Sequence, residues 1–293
     1  MFENNPSLIQ EAPPSAPWVR ITPLVLIHDG GGTTFSYYCL GNLDRPVYGI
    51  ANPHYQSGEP WEDGLPGMAR HYAKLIKSTI SRGKVILGGW SLGGLVSLEV
   101  SRILAEDPAL HIIGIVMIDS ICPINFKTPS LPVVQHAMEW SPHTRQETRD
   151  AILRCFADAG KMVSTWALPT WGDERKANDA PREAADNNNK TATLRSSQAP
   201  LFTPRLVPPP VILLRATELV PVDTDGVSRV DIHRIDPHLG WDNYRDDLIS
   251  QATNLPGCHH FNIFTQEATL DDVTEKLKKA CRDLEARTIV RYK

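Results

Sequence analysis

Ser91 stands in Gly89-Trp90-Ser91-Leu92-Gly93, a G-x-S-x-G spacing that puts a hydroxyl between two residues with no side chain. A serine is a poor nucleophile until a base takes its proton. Its chemistry therefore calls for a histidine, an acid to orient that histidine, and amide donors for the oxyanion of acyl transfer. Candidates for each follow in the chain. Asp119 closes the apolar run 112–118, and the pair His259 and His260 lies in Gly257-Cys258-His259-His260-Phe261, where either imidazole could be the base. The glycine run His28-Asp29-Gly30-Gly31-Gly32 lets backbone approach a ligand closely, so Gly30 N–H, with Gly31 close behind, joins Leu92 N–H as a candidate oxyanion donor. His28 reads as a support for that loop rather than a reactant. No phosphate-binding glycine pattern follows it, which argues against a nucleotide site.

The elements around these residues set where they can meet. Val85, Ile86 and Leu87 form a short apolar run suited to a buried parallel strand, and Leu95, Val96, Leu98, Val100, Ile103 and Leu104 follow at helical spacing. Ser91 thus sits where a strand turns sharply into a helix. Strands are also expected at 24–27, 47–50, 112–118 and 211–214, with helices at 68–80 and 270–284. Alternation of this kind predicts an α/β fold with a mostly parallel central sheet flanked by helices. An acid at the carboxyl end of the strand next to the nucleophile's lies on the rim where α/β sheets bind ligands.

Residues 1–17 carry Pro6, Pro13, Pro14 and Pro17 and read as a tail or linker. The core is expected at 18–120 and 209–293. Between them, 121–208 loses the alternation and reads as a lid insertion, with one helix around 150–156 and the tryptophans Trp140, Trp166 and Trp171. Those rings could line an acyl pocket or pack the lid's own small core. The polar stretch 179–200 is expected to be mobile.

A chain of 293 residues with a formal net charge of −4 offers no basic patch for nucleic acid. The first twenty residues lack the apolar segment of a secretory signal, and no run is long enough to span a bilayer, so a soluble, cytoplasmic protein is expected. Five scattered cysteines without C-x-x-C spacing suggest free thiols, no disulfide framework and no metal site.

Together, 26–32, Gly88-Gly89-Trp90-Ser91-Leu92-Gly93-Gly94, 115–120 and 257–261 resemble the thioesterase family of polyketide and nonribosomal peptide synthases, in particular fungal releasing domains. The resemblance covers roughly residues 20–285 and implies an α/β-hydrolase fold with a lid. The family's acid lies in an I-D-S stretch, which favours Asp119 over Glu218, Asp223 or Asp225. Its last motif resembles G-x-H-F-x-M, which maps the base to His260; the additional residue in Gly257-Cys258-His259 keeps His259 as the alternate. The family usually carries proline where Asp29 stands here. The resemblance implies release of an acyl chain from the phosphopantetheine arm of a carrier protein through an acyl-serine, by hydrolysis, cyclisation or transfer, with no bound cofactor. The partner would be an acyl carrier protein or synthase, in cis or in trans. Two other readings share the residues: a small-molecule carboxylesterase or lipase with the same triad, and a non-catalytic hydrolase-fold protein that binds a ligand.

Overall fold

Successive residues of a strand face opposite sides of its sheet, and the apolar runs of this chain are buried on both. Val25, Ile27, Val85, Leu87, Ile115, Met117, Val211 and Leu213 belong to one hydrophobic cluster, while Leu24, Leu26, Ile86, Val116, Ile118, Ile212 and Leu214 belong to a second on the other face. This two-sided burial makes the strands central. The computed structural model describes residues 4–14, 21–124, 132–134, 138, 140–172, 206–223 and 225–290.

The main sheet holds β1 (Ser7–Gln10), β2 (Leu24–Ile27), β3 (Val47–Ile50), β4 (Gly83–Trp90), β5 (Leu110–Ile118), β7 (Val211–Ala216) and β9 (Ile249–Leu255). Their order in space is β1-β3-β2-β4-β5-β7-β9, parallel throughout except for β1. Helices α2 (Gly64–Thr79) and α3 (Leu92–Ile103) bury Met68, Tyr72, Ile76, Val96 and Val100 in the first cluster. The closing helix α5 (Glu267–Val290) puts Val273, Leu277, Cys281 and Leu284 into the second. A one-turn helix α1 (Phe35–Tyr38) follows the glycine loop. This is an α/β-hydrolase fold: a mostly parallel sheet with helices on both faces.

The linker reading of 1–17 is corrected at residues 7–10, which form the antiparallel edge strand β1 with Ser7 opposite Gly49. Side-chain amides fasten it at both ends. Asn5 exchanges two hydrogen bonds with the Ala51 backbone (2.8 and 3.1 Å), and Gln10 donates to Gly41 O (2.9 Å) while accepting from Leu43 N–H (2.9 Å). Pro6 and Pro13 flank the strand without interrupting it, as proline can at a sheet edge.

Within the inserted region, α4 (Gln146–Thr165) is a twenty-residue helix, longer at both ends than the apolar periodicity indicates. Two short strands, β6 (Val133–Val134) and β8 (Val227–Ser228), pair with each other and tie this region to the β7–β9 crossover. Trp166 and Trp171 are buried in the first main cluster, with their indole N–H groups donating to Glu99 (2.8 Å) and to the Tyr244 hydroxyl (2.8 Å). They pack the body of the fold. Trp140 instead lies beneath the Arg149 guanidinium, 5.8 Å from the ring centre. The expectation for 179–200 lies outside the described residues. All five cysteines are free. Among the described residues no helix is long and apolar enough to cross a membrane.

Candidate active site

β4 delivers Ser91 to the carboxyl edge of the sheet, and the turn into α3 holds it at φ 55°, ψ −115°, a left-handed conformation that costs a non-glycine residue about 1–3 kcal/mol. Its backbone N–H donates to Ile118 O (2.9 Å), which locks the turn to the end of β5. The flanking glycines are sterically required. A Cβ on Gly93 would lie 2.2 Å from Ile27 O, and one on Gly89 2.5 Å from the same atom. The spacing of the motif is thus the imprint of β2 pressing on the turn. Asp119, just past the end of the neighbouring β5, also has positive φ (48°) and donates its N–H to Leu214 O (2.7 Å).

Three side chains far apart in sequence meet here. The Ser91 hydroxyl lies 3.0 Å from His260 Nε2, and His260 Nδ1 lies 2.8 Å from Asp119 Oδ2. Nδ1–H therefore donates to the carboxylate, and Nε2 is left to accept from the serine. Trp90 lies 5.5 Å from the imidazole ring centre and 5.2 Å from that of Phe264, so apolar packing fixes the ring as well as the hydrogen bonds do. His259 is placed otherwise: its Nδ1 accepts from the Phe261 N–H (3.3 Å) within its own turn. Glu218, Asp223 and Asp225 are exposed, whereas Asp119 is fully buried.

Burial alone would push the Asp119 carboxyl upward, but hydrogen bonds and charges from His260 and Arg234 outweigh it and hold it at about 2. Asp119 is thus a carboxylate throughout the neutral range. Arg234, which sequence reasoning missed, reaches both carboxylate oxygens (2.5 and 2.8 Å) and also bonds to Asp231 (2.9 Å). The only local hint was a charged pair at i, i+3 among the apolar residues Val230, Ile232 and Ile235.

The glycine loop lies beside the serine. Gly31 N–H donates to Asp29 Oδ1 (3.1 Å), so that amide is already engaged within the loop. Leu92 heads α3, so its N–H has no carbonyl a turn earlier to bond with. Gly30 and Leu92 line one small cavity, closed by Met68 from α2 and by Ala159 and Met162 from α4. His28 braces the loop from below. Its Nδ1–H donates to Asp29 O (2.5 Å), its Nε2 accepts from the Tyr72 hydroxyl (2.6 Å), and burial pulls it down to about 4, so it stays neutral. Among the described residues no group of His, Cys, Asp and Glu is arranged to hold a metal ion.

Residues 22–148 match the model of the thioesterase domain. Over 97% of its length, and 99% of the relative's, the chain is 34% identical to the probable thioesterase gloN of Glarea lozoyensis. The chain belongs to the thioesterase family. This thioesterase also aligns over 96% of its length, at 31% identity, with 8% of the nonribosomal peptide synthetase imqB of Aspergillus flavus. Among solved structures it is similar to the NocB thioesterase domain from the nocardicin cluster, with a TM-score of 0.57 over 90% of this chain and 95% of that one. At 19% identity that likeness speaks for the fold alone.

Proposed function

We propose that this thioesterase releases a polyketide or peptide acyl chain from the phosphopantetheine thioester of a carrier protein, through an acyl-enzyme on Ser91. The observation that carries the reading is the hydrogen-bonded chain from Asp119 through His260 to Ser91. As Ser91 Oγ bonds to the thioester carbonyl carbon, its proton passes to His260 Nε2. The imidazolium is stabilised by the Asp119 carboxylate, and the oxyanion rests on Gly30 and Leu92 N–H. Collapse breaks the C–S bond, and the proton on Nε2 goes to the departing pantetheine sulfur. A second nucleophile then gives its proton to Nε2 as it attacks the acyl-serine, and Ser91 leaves with that proton. Water yields an acid, an internal hydroxyl a lactone, and an external alcohol or amine an ester or amide. No step calls on a bound cofactor.

The match to one segment of a synthetase supports a synthase or carrier protein as the partner. Intact-protein mass spectrometry after incubation with acyl-pantetheine thioesters tests the reading. An acyl adduct on Ser91, absent in Ser91→Ala, is the expected result. Faster turnover of short aryl esters than of acyl thioesters would replace it with a carboxylesterase. Failure of a fluorophosphonate to label Ser91 in the folded protein would mean a non-catalytic ligand-binding protein.

A further inference from the structure

Arg234 is 3% exposed, and each of its five N–H donors has an acceptor. One terminal nitrogen donates to Asp119 Oδ1 (2.5 Å) and Ala216 O (2.9 Å), the other to Asp119 Oδ2 (2.8 Å) and Val230 O (3.1 Å), and Nε donates to Asp231 Oδ1 (2.9 Å). Asp231 is also buried, and its second oxygen accepts from Val220 N–H (2.6 Å). With the Ala216 N–H (2.9 Å) and His260, the fork fills both oxygens of Asp119. The carboxylate cannot rotate without breaking several bonds.

A cation bound to the acid of a triad is a liability by itself. It would cancel the negative charge that stabilises the imidazolium during acyl transfer. Asp231 removes that liability: two carboxylates and one guanidinium leave the cluster with one net negative charge beside His260. We propose that Arg234 and Asp231 are a pair of positioning residues that fix the orientation of Asp119 while preserving its charge toward His260. The inference rests on the triad reading given above.

Other groups facing Asp119 do not change the balance the pair sets. Cys258, in the loop after β9, is raised to about 11 by burial and stays neutral. Arg215 on β7 donates to the Arg234 backbone carbonyl (2.6 Å), with Asp236 nearby as its counter-charge. Asp272 and Lys276 of α5 act on Cys258 with opposite sign and form an ion pair with each other.

The test compares Asp231→Asn, Arg234→Lys and the double variant Asp231→Asn/Arg234→Gln, following the pH profile of thioester turnover, with thermal melts to establish folding. Asp231→Asn makes the cluster neutral, so the acid limb of the profile should move to lower pH by about one unit, the low end of what a neighbouring charge does. The double variant restores one net negative charge and should return the limb to its wild-type position, with turnover still low. Arg234→Lys keeps the charge but cannot fork, so the limb should hold while kcat falls on the order of a hundredfold. A purely structural role would lower the melting points and leave every limb where it was. An unmoved or upward-moving limb in Asp231→Asn overturns the charge role, and wild-type kcat in Arg234→Lys overturns the orienting role. If the double variant does not fold, these two single variants decide the matter. Fluorophosphonate labelling of Ser91 in the unvaried protein tests the triad reading independently: labelling together with an unshifted limb in Asp231→Asn sinks this inference alone.

Discussion

The Phe156 ring of α4 lies so close over Gly30 that a Cβ built there would be 2.8 Å from its Cδ1. The helix of the inserted region thus rests directly on the loop proposed to offer an oxyanion donor. Gly30→Ala should force ring and loop apart and lower thioester turnover on the order of a hundredfold, the cost of misplacing one oxyanion donor. Adding Phe156→Ala should recover part of that loss. Steady-state kinetics on the single and double variants would show it; equal rates for the two would mean the contact is irrelevant to the donor.

The adjacent histidines should separate cleanly. His260→Gln removes the group between Ser91 and Asp119 and should cut turnover by roughly 10⁴-fold or more, as losing a triad base does. His259→Gln should stay within a few-fold of wild type, because its ring is engaged by the Phe261 amide. The reverse ranking in the same assay would reassign the base.

Ser91 holds its turn at positive φ without glycine's freedom. Ser91→Gly should therefore be inactive yet more stable than Ser91→Ala by about 1 kcal/mol, since relieved backbone strain exceeds the added unfolded-state entropy. Denaturant midpoints of the two inactive variants provide the comparison.

Asp29 gives a stability test with a defined sign. Burial raises its carboxyl from an ordinary 3.8 to about 7, against smaller opposing effects of the Gly31 and Asp29 amides. Folding favours its protonated form, so that contribution is complete below pH about 4 and is lost as pH rises through 7. Asp29→Asn stays neutral and can still accept from Gly31 N–H. Its thermal midpoint should equal wild type at pH 4 and exceed it at pH 8; a lower midpoint at pH 8 would show the ionised carboxylate to be stabilising.

Much of the α/β alternation was legible because buried parallel strands are continuous apolar runs. The runs at 24–27, 85–87, 112–118 and 211–214 each announce a strand of the sheet. β1 was not, since Ser7-Leu8-Ile9-Gln10 has two apolar residues between prolines and is held by side-chain amides whose partners lie more than thirty positions away. The turn at Ser91 could be read because its two glycines also meet each other across one strand–turn–helix unit, a Cβ on Gly89 lying 2.7 Å from Gly93 Cα, besides their shared contact with Ile27 O of β2. Arg234 could not: its partner Asp119 is 115 residues distant, and the local pairing with Asp231 among apolar neighbours does not point to it. Local sequence records local sterics, whereas a buried charge network is written only in the assembled fold.

The backbone bonds from Ser91 to Ile118 and from Asp119 to Leu214 hang these two residues from the tips of adjoining strands. Their separation is therefore governed by the spacing of a β-ladder, about 4.8 Å. The ladder rather than the covering helix thus sets how far apart Ser91 and Asp119 stand, while Phe156 of that helix bears only on the Gly30 side of the site.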